Sequence, residues 1–316
     1  MYFEVSGIHV FPLIPFAVAF VVSFFTSMGG VSGAFLLLPF QVSVLGFTSP
    51  AVSPTNLVYN IVAIPSGVYR YVREGRMAWP LAWVIIAGTL PGVFIGAILR
   101  IKYLPDPGNF KFFVGCVLLY IGLRLLFTVL QKNGKTKKAK ELEIKFNEKM
   151  KEIRKGLESG TEHEAVVKTV NFSLTNYTYS FYGETFFFNT ISLFALTFVV
   201  GIIGGTYGIG GGSIIAPFLV AVFGLPVFTI AGAALLGTLI TSVAGVVFYT
   251  IIAPCYAHTG LAISPDWLLG ALFGAGGFAG MYCGARVQKY IPAKIIKIIL
   301  AVLITLLAVK YIIGIF

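Results

Sequence analysis

The sequence predicts an all-α polytopic membrane protein of two inverted-topology repeats, each with about five hydrophobic segments, the first two short or broken at glycine-rich breaks. Three observations carry that expectation. The 316-residue chain is 57% hydrophobic and only 11% charged, with a mean hydropathy of +0.90, whereas an ordinary soluble domain is roughly 25% charged. Apolar segments run at about 12–27, 30–46, 50–71, 78–99 and 108–130, and again at 186–204, 208–224, 228–252, 266–286 and 293–314. Finally, Phe16 to Tyr71 reappears without a gap as Phe194 to Tyr249, with 16 identities in 56 positions, where roughly five would arise by chance.

The duplicated unit shares Phe16/Phe194, Val21/Val199, Val22/Val200, Gly30/Gly208, Gly33/Gly211, Pro39/Pro217, Phe40/Phe218, Gly46/Gly224, Gly67/Gly245 and Tyr71/Tyr249. The first two segments of each half have about 16 to 19 residues, short of the roughly 20 that cross 30 Å of hydrocarbon. They read as broken or re-entrant helices. Because they come in pairs, crossing or turning back leaves every later loop on the same side.

With both termini outside, the cytoplasmic loops collect 19 of the 23 basic residues, including the twelve between Arg124 and Lys168. Only Arg100, Lys102, Lys111 and Lys310 fall outside. That asymmetry fits the positive-inside rule and a multi-pass protein of the cytoplasmic membrane. Five segments per half, an odd number, make the second repeat enter from the opposite side. The predicted organisation is a first membrane repeat over 1–130, a cytoplasmic hydrophilic linker over 131–185 and a second membrane repeat over 186–316.

The linker carries Leu142, Ile144, Phe146, Met150, Ile153 and Leu157 among dense charges, a spacing that allows an amphipathic helix. It reads either as a solvated connector or as an element that meets anionic lipid or a cytoplasmic partner. The aromatic-rich 172–188 stretch is expected at the membrane interface.

Several function classes are disfavoured. The net charge of +11 reflects cytoplasmic loops, so no nucleic-acid partner is expected. Met1 to Val10 contains Glu4 and no lysine or arginine, unlike a cleavable leader. Cys116, Cys255 and Cys283 stand far apart and suggest neither disulfides nor a metal site. His9, His163 and His258 fall in polar segments, and no Asp or Glu lies well inside a predicted span. No catalytic cluster, metal site or cofactor is expected, and the chain does not read as an enzyme.

The candidate chemistry lies at two glycine clusters. Gly204-Gly-Thr-Tyr-Gly-Ile-Gly-Gly-Gly-Ser213 and its partner Met28-Gly-Gly-Val-Ser-Gly-Ala34 each interrupt an apolar run before Pro217 or Pro39. A helix start offers free N–H groups and partial positive charge, and glycine lets a ligand approach the backbone. Gly30, Ser32 and Gly33 in one half, with Gly208, Gly210, Gly211, Gly212 and Ser213 in the other, are therefore candidate anion-binding positions. Beside them, Thr55, Asn56 and Asn60 lie in one apolar segment and Thr238, Thr241 and Ser242 in another. Asn56 and Asn60 share a helix face, as do the three hydroxyl residues. Hydrogen bonding to a substrate and hydrogen bonding between helices both account for them. By contrast, Gly92-xxx-Gly96, Gly276-xxx-Gly280 and Gly280-xxx-Gly284 read as helix-packing pairs.

The string Gly208-Ile-Gly-Gly-Gly-Ser-Ile-Ile-Ala-Pro-Phe218 with Ala231-Gly-Ala-Ala-Leu-Leu-Gly-Thr238 resembles the TauE/SafE family of sulfite and organosulfonate exporters. The first half resembles it through Pro39-Phe40, Ser53-Pro-Thr-Asn-Leu57 and Gly67-Val-Tyr-Arg-Tyr-Val-Arg-Glu-Gly-Arg76. The triple glycine Gly210 to Gly212 has Ser32-Gly33-Ala34 as its counterpart, which departs from the family pattern. The resemblance implies a permease for a small sulfur-containing oxyanion such as sulfite, thiosulfate or an organosulfonate, expected to export it by alternating access. A passive anion channel and a non-transporting membrane scaffold are the alternatives left open at this point.

Overall fold

The computed structural model describes residues 1–28, 31–73, 77–130, 167–173, 175–181, 184–223, 225, 227–287 and 293–313. Among them are α1 (Leu13–Met28), α2 (Ala34–Ser43), α3 (Val52–Arg73), α4 (Trp79–Lys102) and α5 (Pro107–Leu130) in the first half. The second half holds α6 (Thr190–Tyr207), α7 (Ile215–Phe223), α8 (Val227–Ile252), α9 (Trp267–Val287) and α10 (Ala293–Ile313). The chain is thus an all-α polytopic membrane protein, and among the described residues four helices are long and apolar enough to cross a membrane. The amphipathic helix expected within 131–185 lies in a stretch that is mostly outside the described residues.

The second helix of each half is shorter than its apolar run. α2 has 10 residues and α7 has 9, so each rises about 15 Å or less, half the hydrocarbon thickness. Neither crosses alone. α6 ends where Gly208 adopts φ +79° and its N–H bonds to the Gly204 carbonyl, a left-handed stop that glycine takes without steric penalty.

The helices pair in a set that survives exchange of the halves. α1 lies on α9 and α4 on α6; α5 pairs with α10; α3 packs on α8 and α9, and α8 on α4. Swapping α1 with α6, α3 with α8, α4 with α9 and α5 with α10 returns the same set.

Glycines set the closest of these contacts. A Cβ on Gly92 would stand 2.5 Å from the Phe198 carbonyl oxygen, and one on Gly96 would meet that of Ile202. In the other half, Gly276, Gly280 and Gly284 face the carbonyls of Phe16, Phe20 and Phe24. Since 16, 20 and 24 match 194, 198 and 202 at the repeat offset of 178, the two glycine seams are counterparts. The expected packing role of these glycine pairs holds: without side chains the helix backbones approach within van der Waals range.

One element was not foreseen. Strands β3 (Lys168–Phe172), β4 (Asn176–Phe181) and β5 (Glu184–Asn189) form an antiparallel sheet at the end of the hydrophilic linker; a short hairpin of β1 (Tyr2–Phe3) and β2 (Ile8–His9) precedes α1. The signal was alternation. Tyr177 and Tyr179 are buried whereas Asn176 is exposed, the period of two that marks a strand with one covered face. That face packs against the bundle through Phe188, whose ring centroid lies 6.0 Å from that of Phe223 on α7.

Candidate functional site

Both glycine breaks meet on one face of α3. Asn56 and Asn60, four residues apart, lie one above the other on that face, and both are fully buried. The Asn56 carboxamide donates to the Ala34 carbonyl at 3.0 Å, at the start of α2, and to the Gly208 carbonyl at 2.9 Å, in the other half. One turn along, the Asn60 carboxamide donates to the Ile209 carbonyl at 2.9 Å and to the Ser242 hydroxyl of α8 at 3.2 Å. Its own oxygen accepts from Ser32 Oγ at 2.6 Å. Two side chains thereby tie the first break, the second break and α8 together.

Each break is then secured by its own half. Gly33 is the residue from which α2 starts, and a Cβ there would stand 2.6 Å from the Tyr59 hydroxyl, itself 2.7 Å from Ser23 Oγ. In the second break the Gly211 N–H donates to Thr241 Oγ1 at 3.1 Å, and the Ser213 hydroxyl donates back to the Ile209 carbonyl. Gly212 leaves no room for a side chain, since its Cβ would come within 2.6 Å of both the Thr238 nitrogen and Oγ1. Thr238 donates to the Ala234 carbonyl at 2.8 Å and Thr241 to that of Gly237 at 2.7 Å, so their hydroxyls satisfy the preceding helical turn while lining the break.

Gly210 needs its glycine twice over. Its φ is +79°, and a Cβ would lie 2.9 Å from Ser242 Oγ and 3.0 Å from Thr238 Cγ2. Gly210→Ala is expected to destabilise the protein by about 1–2 kcal/mol from the left-handed backbone alone. A fall in the thermal midpoint of the purified variant in detergent checks this.

The structure therefore brings Ser32, Gly33, Asn56, Asn60, Gly208, Gly210, Gly211, Gly212, Ser213, Thr238 and Thr241 together. Gly30 lies outside the described residues. Thr55 points elsewhere: its hydroxyl donates to the Ala51 carbonyl at 2.7 Å and accepts from the Asp266 N–H at 2.8 Å, joining α3 to the start of α9.

Besides Tyr59 and Ser23, three residues of this cluster were not singled out from sequence. Gln41 of α2 donates to the Asn56 carboxamide oxygen at 3.1 Å, Tyr207 donates to the Phe35 carbonyl at 2.8 Å, and Thr89 of α4 covers Gly211, whose Cβ would meet Thr89 Cβ at 2.5 Å. Gln41 had a readable signal, being one of the few polar side chains in an apolar run that must find a partner. Tyr207 and Thr89 had none, since their types are ordinary in membrane helices.

The arrangement is asymmetric. Asn56 and Asn60 correspond at the repeat offset to Ala234 and Thr238, so the carboxamide donors all come from the first half. A polar cluster at paired helix breaks in a bilayer is the kind of place where transporters hold a substrate.

The sulfite exporter TauE/SafE family model matches residues 15–311. A relative, the "Probable membrane transporter protein YunE" of Bacillus subtilis (strain 168), is 23% identical over 259 residues, 82% of this chain and 79% of the relative. No solved structure matches the chain. With a family model covering nearly all of a helical bundle built around two opposed helix breaks, the chain belongs to the TauE/SafE sulfite exporter family of membrane transporters.

Proposed function

We propose that this protein is a secondary transporter that moves a small sulfur-containing oxyanion, sulfite, thiosulfate or an organosulfonate, out of the cell by alternating access. The observation that carries the reading is the meeting of both glycine breaks at Asn56 and Asn60. Each carboxamide N–H₂ is aimed at a backbone carbonyl of a break. When the breaks separate, those donors become available to the oxygens of an anion, and neutral donors bind such an anion without holding it too tightly to release.

The exchange-symmetric pairing of the helices supports an inverted two-fold arrangement, in which the glycine-sealed pairs α1/α9 and α4/α6 move as units. Family membership supports the substrate class. Glycine seams resist shear because backbone meets backbone, whereas the breaks are joined by side-chain hydrogen bonds that rearrange at low energy. The termini lie outside and the linker in the cytoplasm in this reading, which the distribution of basic residues supports.

The test is flux of sulfite, thiosulfate, sulfate and a small organosulfonate in proteoliposomes, with and without a pH gradient, against empty vesicles. Saturable, selective flux is the expected result. Absence of flux for every sulfur anion would overturn the substrate class, and flux proportional to concentration without saturation would make the protein a channel.

A further inference from the structure

Arg100 closes α4 and is completely buried, although the sequence alone places it among the residues at a membrane surface. Its Nη1 donates to the Leu104 carbonyl, and its guanidinium carbon lies 3.7 Å from the centroid of the Phe110 ring. Among the described residues, its buried Nε and Nη2 have no hydrogen-bond partner.

Two further side chains meet it. Tyr249 of α8 and Ser53 of α3 each have 0% exposure, and each carries a hydroxyl that makes no well-formed hydrogen bond among the described residues. The Tyr249 hydroxyl lies against Ser53 and within electrostatic reach of Arg100. Tyr249 sits in a buried apolar cluster with Leu57, Ala97, Ile101 and Val246. Ser53 also touches the central site, since a Cβ on Gly208 would meet Ser53 Cα at 2.5 Å.

A buried guanidinium with two idle donors is a costly arrangement in a membrane protein. The Nε–H and Nη2–H₂ donors of Arg100, with the hydroxyls of Tyr249 and Ser53, come from three helices, carry one net positive charge and match the oxygens of a small oxyanion. The Leu104 carbonyl and the Phe110 ring engage one nitrogen and one face of the guanidinium, and leave Nε and Nη2 unused.

We propose that Arg100, Tyr249 and Ser53 form a second anion-binding subsite, beside the central one, at the end of the bundle where α4 finishes and α3 begins. It takes the same small oxyanion as it passes to or from the breaks, and so rests on the transport reading. The subsite is one-sided. Tyr249 has Tyr71 as its repeat counterpart, but Ser53 has Ala231, which brings no hydroxyl. A lipid phosphate offers the same chemistry, yet side chains with no exposure favour a free ion.

The experiment measures binding and flux separately. Wild type, Arg100→Gln, Arg100→Lys and Tyr249→Phe are melted in an uncharged detergent with increasing sulfate or thiosulfate, then with phosphatidylglycerol added. The expected result is anion-dependent stabilisation in wild type, weakened about tenfold or more in apparent affinity by Arg100→Gln and largely kept by Arg100→Lys. Tyr249→Phe, which keeps the ring and the packing, is expected to fall between them. Equal anion affinity in wild type, Arg100→Gln and Tyr249→Phe would overturn the subsite, as would stabilisation by phosphatidylglycerol alone. Saturable wild-type flux with no dependence on Arg100 in binding would refute the subsite and leave transport standing. Arg100-dependent binding with no flux would refute transport and leave the subsite standing.

Discussion

Replacing Gly92 with valine is expected to prevent the protein from accumulating as a folded species, with a loss of about 3 kcal/mol or more if it is recovered at all. A Cβ at this position would lie 2.5 Å from the Phe198 carbonyl oxygen, 2.7 Å from the Ile202 nitrogen and 2.9 Å from the Gly201 carbonyl carbon. All three are backbone atoms of α6 and cannot rotate away, so the α4–α6 pair must separate along its length. Gly67→Ala is the informative comparison. Gly67 is also a helical glycine and is shared between the repeats, but its Cβ would meet Leu235 Cδ1 at 3.3 Å and Met281 Sδ at 3.8 Å, both in flexible side chains that can yield. Alanine there also recovers helix propensity of about 1 kcal/mol, so this variant is expected to be neutral or slightly more stable. Unfolding of both variants in mixed micelles, followed by circular dichroism, measures the contrast. Equal stability of Gly92→Val and wild type would remove the backbone seam from the account of this fold.

Asn60→Leu is expected to fold and to lose transport, with flux reduced about a hundredfold if two hydrogen bonds to the anion are lost. Leucine fills a similar volume but leaves Ser32 Oγ without its acceptor and Ser242 Oγ without its donor. Leaving those buried groups short of partners costs about 1–3 kcal/mol each, less where a neighbour in the bilayer takes over. A purely structural asparagine would give the same stability loss, so the variant is read beside Tyr311→Phe. The Tyr311 hydroxyl also bridges buried elements, donating to the Pro39 carbonyl at 3.0 Å and accepting from Ser43 at 2.7 Å, but it does not touch the breaks. Tyr311→Phe is expected to lose stability to a similar extent and keep its flux. If both variants transport equally well, Asn60 is a structural clasp and the substrate site lies elsewhere.

These expectations show how far a sequence of this kind can be read. Gly92 and Gly96 were recognisable as a packing pair because small residues four apart share a helix face. Gly88, one turn earlier, belongs to the same seam, facing Thr197 and the Phe194 carbonyl of α6, and carried no separate signal. The shared glycines Gly67 and Gly245 looked equally important in the repeat alignment, yet the atoms nearest to them are flexible leucine ends. Identity between repeats marks descent, whereas only the distance to a neighbouring backbone says what a glycine is for. Arg100 shows the reverse. The sequence counted it only among the few basic residues outside, and the fold buries it completely, over the Phe110 ring at the end of α4.

What the sequence determined by itself was everything that depends on local spacing and composition: the membrane class, the ten apolar segments, the duplication, the two breaks and the shared face of Asn56 and Asn60. Periodicity fixes which residues lie on one face of a helix, and hydropathy fixes its solvent. The tertiary structure alone decided what those faces meet. The bonds from Asn56 to Gly208 and from Asn60 to Ile209 join residues 152 and 149 positions apart, and no local pattern encodes a partner at that distance. That pairing follows from how α3 of the first half packs on α8 and α9 of the second, contacts that exist only once both halves have folded against each other.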